Sequence, residues 1–191
     1  MLAEHNEINL LDSVYKAITA AQSWDGEIDL LLIGKNTEKV AKKASSIKLL
    51  NNIIRVDAEH LEHLLAEDAA NIVSSIGKKY HVILAAHTWF SRNFLPRVAA
   101  IMDVSMISDV LKIKSKNTYT RSTYAGNVHA TIESLDPIQI LTIHISNFNT
   151  CETDGGNAEI IINEAPSPLN LSQWKTEKIN KSDRPALVDA K

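Results

Sequence analysis

His5 and His87 each end a short apolar run, at the carboxyl end of what reads as a parallel strand, and open α/β sheets gather their ligands at those ends. Two imidazoles there could grip a metal or a phosphate. A metal site would want a third and fourth ligand, and neither histidine sits in an HExxH or paired-cysteine spacing, so a polar side chain closing a strand end is the reading preferred here. His60 and His63 are three apart with Glu59 and Glu62 beside them, which could hold a metal but reads as a solvated first helical turn. Ser91, Ser105 and Ser108 have no nucleophile elbow around them and read as caps or backbone partners. Asp103 and Asp109 could pair as carboxylates. Arg97 is near enough in sequence to neutralise either, and an ion pair between Arg97 and Asp109 is expected to tie the fourth helix to the fifth strand. Cys151 is the single cysteine, so no internal disulfide forms and the thiol reads as a loop residue.

Phosphate chemistry through backbone amides needs glycine. The chain has six glycines, with Gly34 alone after a strand and Gly155-Gly156 in a polar stretch. Neither a dinucleotide loop nor a P-loop occurs. No catalytic, cofactor-binding or metal-ligating residue is therefore assigned from the residues themselves.

The elements that would position these residues follow from hydrophobic period. Residues 1–4, 30–33, 53–56 and 82–86 read as four short apolar strands. Between them lie helices marked by Val14, Ala17, Ile18 and Ala21, capped by Asp12 or Ser13, and by Val40, Ala44 and Ile47, entered through the side chains of Asn36 and Thr37. A long helix runs from Leu61 through Leu64, Leu65, Ile72, Val73 and Ile76 and ends on a left-handed Gly77. Phe94, Leu95, Val98, Ala99 and Met102 mark a fourth helix with Pro96 expected in its first turn. Repeated strand-helix units with continuously apolar strands imply an α/β fold, an open, mostly parallel sheet flanked by helices on both faces. After residues 106–113, the runs 119–124, 128–134 and 138–145 are joined by turns at Ala125-Gly126-Asn127 and Asp136-Pro137 and read as an antiparallel β meander at the end. The expected organisation is a scaffold domain over 1–146, a connector over 147–168 in which Ile160–Ile162 could add a short strand, and an arm over 169–191 lying against a partner or a further domain.

Composition excludes several classes. At 191 residues with 45% hydrophobic and 23% charged residues, the chain can bury a full core. A net charge of −3 offers no broad basic field, so no nucleic acid is expected as a partner. No apolar run approaches the roughly 20 residues of a membrane span, and the start has neither a signal sequence nor an Arg-rich transit peptide. A cytoplasmic location is expected in a bacterium, or the mitochondrial matrix in a eukaryote.

Linked motifs then add a resemblance. Ala3-Glu4-His5-Asn6, Leu95-Pro96-Arg97-Val98-Ala99-Ala100, Ile107-Ser108-Asp109-Val110, Tyr119-Thr120-Arg121, Tyr124-Ala125-Gly126-Asn127 and Ser182-Asp183-Arg184-Pro185-Ala186-Leu187 occur in that order. Together they resemble the N-terminal domain of the electron transfer flavoprotein alpha subunit. The resemblance implies a Rossmann-like, adenine nucleotide hydrolase-like sheet. It also implies a heterodimer in which this domain and the electron transfer flavoprotein beta subunit form a base, while a C-terminal alpha domain, missing here, carries FAD. In that family the flavin takes electrons from acyl-CoA dehydrogenases and passes them to a quinone reductase. The expectation is a scaffold without a cofactor or turnover of its own, with an apolar surface for the beta subunit. The alternative is a stand-alone nucleotide-binding regulatory module using the strand ends near His5 and His87; a small hydrolase has no supporting constellation.

Overall fold

The computed structural model describes residues 1–178, so the Ser182 to Leu187 motif and the end of the arm lie outside the described residues. Three parallel strands, β1 (Asp29–Gly34), β2 (Asn52–Asp57) and β8 (Glu159–Asn163), lie in the order β1-β2-β8. Five more, β3 (Val82–Ala86), β4 (Met106–Ile113), β5 (Thr118–Thr123), β6 (Val128–Glu133) and β7 (Gln139–Ile143), lie in the order β3-β7-β4-β5-β6. The N-terminal residues join the two. The Leu2 amide donates to the Leu84 carbonyl (2.8 Å) on β3, while the Ala3 amide donates to Leu31 (3.0 Å) and the Leu31 amide donates to Met1 (2.7 Å) on β1. The run expected as a first strand is thus a short seam that makes one continuous, mostly parallel sheet.

Side-chain alternation feeds a core on each face. Leu30 and Leu32 pack with Val14 and Ile18 of α1 (Asp12–Ala21) and Val40 and Ala41 of α2 (Glu38–Ala44). Leu31 and Ile33 face the other way, toward Ile72 and Val73 of α3 (Ala66–Gly77) and Phe94, Leu95 and Val98 of α4 (Trp89–Met102). Helices cover both faces, as the continuously apolar strands require.

Several local expectations change. Leu11, not Asp12 or Ser13, occupies the cap of α1 and no side chain caps it; the helix starts early enough that both polar residues fall inside its first turn. The α2 entrance is likewise uncapped by its own Asn36 or Thr37 side chain. The long helix expected from Leu61 is broken into a 3-10 turn at Glu59–Leu61 and then α3; the apolar spacing runs through the break because both pieces cover the same core. Gly77 is not left-handed. It closes α3 where a Cβ would lie 2.5 Å from Cδ1 of Ile83, so its use is close approach of helix to strand. Pro96 lies in the middle of α4, not its first turn; both Pro96 and Arg92, whose carbonyl the missing N–H leaves free, are exposed, so water can serve that carbonyl.

The antiparallel meander is β4-β5-β6, and it forms one edge of the sheet. The run at 138–145 does not continue it. It becomes β7 and inserts parallel between β3 and β4, because an apolar strand buried along almost all its length needs neighbours and two covered faces, whereas the polar, largely exposed β6 suits an edge. The isoleucines at 160–162 do form a strand, β8, at the opposite edge.

The stretch before β8 is fastened to the end of α2. The Gly156 amide donates to Ser46 (2.8 Å), the Ala158 amide donates to Ser45 (2.9 Å), and Gly155 bridges Ile47 with a φ of 79°. Beyond β8 the described part of the arm lies on its own chain at the start of α3. The Leu169 amide donates to Asp68 (2.8 Å), Ser172 Oγ donates to Glu67 (2.8 Å), and the Trp174 and His63 rings stack at 3.8 Å.

A Cβ at Gly156 would lie 2.5 Å from the Ile47 backbone, which cannot swing away as a side chain can. Gly156→Ala is expected to lower stability by about 1–3 kcal/mol in urea unfolding. Gly26→Ala, where nothing lies within 4 Å, should change it by less than about 0.5 kcal/mol; equal losses would contradict this account.

Candidate functional site

The carboxyl ends of β1 and β2 are closed by an internal anion. Asp57, the last residue of β2, accepts from the Asn36 amide (3.3 Å), the Thr37 amide (2.7 Å) and Thr37 Oγ1 (2.6 Å), and Arg55 donates to it through Nη2 (2.8 Å). Burial pushes this carboxyl upward, but the Thr37 and Arg55 bonds and the guanidinium charge outweigh that and hold it at about 2. A carboxylate thus does what the helix entrance could not do with its own side chains. His5 completes the closure: Nε2 donates to the Ile33 carbonyl (3.1 Å) and Nδ1 accepts from the Glu7 amide (3.2 Å). Both ring nitrogens are engaged, and burial, ahead of the Ile33 bond and the Glu7 and Asp57 charges, keeps its pKa below the usual value.

The second junction, after β3, is also internally satisfied. Thr88 caps α4 in a reciprocal box with Ser91, Ser91 Oγ donates to the Ala86 carbonyl (2.5 Å), and Thr88 Oγ1 donates to Glu4 (2.8 Å). A dinucleotide pyrophosphate needs free amides at such a turn. After β1 those amides serve Asp57, and after β3 a carboxylate, Glu4, stands beside the cap. These two junctions do not fit FAD.

His87 belongs to a different group. Its Nδ1 lies 2.8 Å from Thr142 Oγ1 on β7, and the same oxygen accepts from the Asp109 amide (3.0 Å) on β4. Asp109, held at a φ of 58° where the β4 register shifts, meets His144 Nδ1 at 2.8 Å. The expected Arg97–Asp109 ion pair is therefore absent. Asp109 is engaged by His144 beyond β7, and Arg97 reaches Glu67 on α3 (3.4 Å) because α3 and α4 pack side by side. Asp103 is the left-handed C-cap of α4, while Asp109 lies within β4 and is engaged by His144. His5 and His87 stand at different strand ends with separate partners.

Several of the remaining candidates have partners within the chain. Glu59 and Glu62 both pair with Lys35 (2.7 and 3.1 Å), His63 stacks on Trp174, and no group of three or more potential ligands gathers for a metal among the described residues. The Ser105 amide donates to Asp136 (2.9 Å). Burial pushes the half-buried Cys151 thiol up, away from reactivity. An open cavity of about 550 Å³ lies between α3 and residues 163–167, but among the described residues Glu164 is the one titratable side chain lining it. No helix among the described residues is long and apolar enough to cross a membrane. Sequence reasoning missed Asp57, which no motif contains, and gave no role of its own to Arg121, a charge within a Thr- and Ser-rich strand whose surroundings only pairing reveals.

Comparison with known proteins agrees with the resemblance drawn from the motifs. Residues 1–168 match the sequence model described as "Electron transfer flavoprotein domain". The chain is 34% identical over 191 residues to "Electron transfer flavoprotein subunit alpha" of Pseudomonas aeruginosa, covering 100% of this chain and 62% of that protein. It is 34% identical to "Probable electron transfer flavoprotein subunit alpha, mitochondrial" of Schizosaccharomyces pombe, covering 99% of this chain and 57% of that protein. A mitochondrial alpha subunit of Dictyostelium discoideum is also 34% identical, with 100% of this chain and 58% of the relative covered. The chain thus spans about three fifths of the length of these relatives.

Asp57 supplies a pH test. Its folded pKa of about 2 lies below the ordinary 3.8, so its contribution to stability is fully present above about pH 4 and is lost as the pH falls toward 2. Asp57→Asn should be less stable at neutral pH and show a flatter loss between pH 4 and 2 in urea titrations; a parallel acid loss would assign the stability elsewhere.

Proposed function

We propose a scaffold role for this chain, which belongs to the electron transfer flavoprotein family. In this reading it is the N-terminal domain of an alpha subunit, with residues 1–146 as the scaffold, 147–168 as a connector and 169–191 as an arm toward the flavin-bearing part. Together with a beta subunit it forms the base over which FAD is held by the length of an alpha subunit beyond the part spanned here. The complete protein carries electrons from acyl-CoA dehydrogenases to a quinone reductase, in the bacterial cytoplasm or the mitochondrial matrix. The chain itself acts in assembly and turns nothing over, because electron chemistry belongs to the cofactor and to whatever holds it.

The observation that carries this reading is the pattern of satisfied junctions beside unsatisfied edges. The amides at the β1–α2 turn are engaged by the protein's own carboxylate, so that turn favours structure over cofactor. Both sheet edges, β8 and β6, have no further strand beside them among the described residues. β8 leaves Ile161 38% and Ile162 71% exposed, β6 leaves Val128 47% exposed, and Leu135 beyond it is 90% exposed. Open edges with apolar side chains are surfaces that natural proteins cover, and an obligate subunit contact would bury at least about 1,000 Å².

Co-expression with the beta subunit of the same organism tests the role. The two chains are expected to co-purify in a stable complex, and the purified chain alone is expected to show no flavin absorbance between 350 and 500 nm, roughly the band of oxidised flavin. Failure to associate where a full-length alpha subunit does, or a stoichiometrically yellow chain, would overturn it.

A further inference from the structure

Three successive residues of β5 each hold a shielded polar atom without a hydrogen-bond partner: Thr120 Oγ1, Arg121 Nε and Ser122 Oγ. Buried polar atoms are nearly always paired, so such a run asks for an explanation. The guanidinium is the costly member. A hydroxyl can turn, but arginine cannot shed its charge by losing a proton. Arg121 is partly buried and forms no salt bridge or side-chain hydrogen bond among the described residues. A guanidinium shielded at Nε, with no counter-charge among the described residues, gains when an anion meets it.

Strand register places this arginine. Arg121 lies opposite Val110, Val110 opposite Ile143, and Ile143 opposite Ala86, forming one row across β5, β4, β7 and β3. The next residues on β3 and β7 are His87 and His144, whose amides continue the ladder to Ile143 (2.9 Å) and Val110 (2.9 Å). The row therefore stands at the carboxyl ends of the parallel strands, and three strand spacings of about 4.8 Å separate β5 from β3, which His87 follows. Arg121, Arg92, His144 and Asp109 are all close enough to influence His87 electrostatically. Of these, Asp109 is engaged by His144, and Arg92 lies over the Trp89 ring at 4.8 Å.

Thr142 Oγ1 accepts from the Asp109 amide and keeps its own hydrogen, which it can donate to His87 Nδ1. In that tautomer the neutral ring carries its proton on Nε2, a donor with no partner among the described residues. Two donor groups at one end of the sheet, one of them a guanidinium, are thus without acceptors. The start of α4 follows His87 directly, but its cap residue Thr88 already donates to the Glu4 carboxylate, so the helix end is not counted among the donors.

We propose that Arg121 and His87 Nε2–H are donors of a binding site for a small oxyanion, a phosphate monoester or a carboxylate, at the carboxyl ends of β3, β7 and β4. A guanidinium forks onto two oxygens of either group, and the imidazole N–H meets a third or shares one. The site lies at the top of the sheet, away from the Asp57 closure, where the protein already supplies the anion.

The test uses the full 191-residue chain at constant ionic strength, titrated with inorganic phosphate, with methyl phosphate and with acetate against chloride. Saturable movement of the Arg121 Nε–H resonance together with a saturable rise in Tm is expected. A response to the phosphates with none to acetate assigns a phosphate monoester, and a response to acetate assigns a carboxylate; either supports the site. Arg121→Met and His87→Phe should each weaken the apparent affinity about tenfold or more, while Arg92→Met should leave it within about threefold. No saturable response to any of the anions, or an Arg121→Met chain that binds as tightly as the wild type, overturns the proposal. Should Arg121→Met fail to fold, the resonance titration of the wild-type chain decides the matter alone.

Discussion

The sheet depends on a seam three residues long. Leu2 sits between β1 and β3, giving its amide to Leu84 while its neighbours exchange bonds with Leu31. Without that bridge the strands fall into a parallel group of three and a mixed group of five, with no ladder between them. With it, Leu31 and Ile33 on one side and Ile83 and Ala85 on the other share one core under α3 and α4. Seam residues also face that core: Leu2 is 4% exposed, so the junction is held by apolar burial as well as by backbone hydrogen bonds.

Given one continuous sheet, the chemistry of its carboxyl edge divides into two halves with opposite electrostatic answers. On the β1–β2 side, Asp57 brings a negative charge to the amides of the α2 turn and the Arg55 guanidinium, so donors and acceptor balance within the chain. On the β3–β7–β4 side Asp109 is held by His144 and Glu4 by Thr88, and Arg121 has no carboxylate partner among the described residues. The same architecture that favours ligands at strand ends thus carries a filled end and an open one. The filled end explains why glycine-poor turns suffice, since no phosphate has to approach the backbone there.

The arm and the stretch before β8 show how a polar region can be placed without a core of its own. Gly155 and Gly156 let the chain press against the backbone of Ile47. After β8, one amide to Asp68, one hydroxyl to Glu67 and the Trp174–His63 stack carry the chain along the start of α3. The acidic groups in the first turn of α3 offer the acceptors for these contacts.

The sequence by itself determined what depends on local period and composition: the α/β class, helices on both faces, the positions of β1, β2 and β3, and the lack of a glycine cradle. Those features need only the spacing of apolar residues and the steric freedom of glycine. Tertiary structure alone decided where β7 goes, since an apolar run states that it wants burial and not which neighbours provide it. It decided the partners of Arg97, Asp109 and Asp57 too, because a charge pairs with whatever the packing of α3 on α4, or of β2 beside the α2 turn, brings within reach. The surroundings of Arg121 belong to the same category: the residue is read from one position, but its place at the end of a row across four strands, with no acceptor among the described residues, is decided by register and packing.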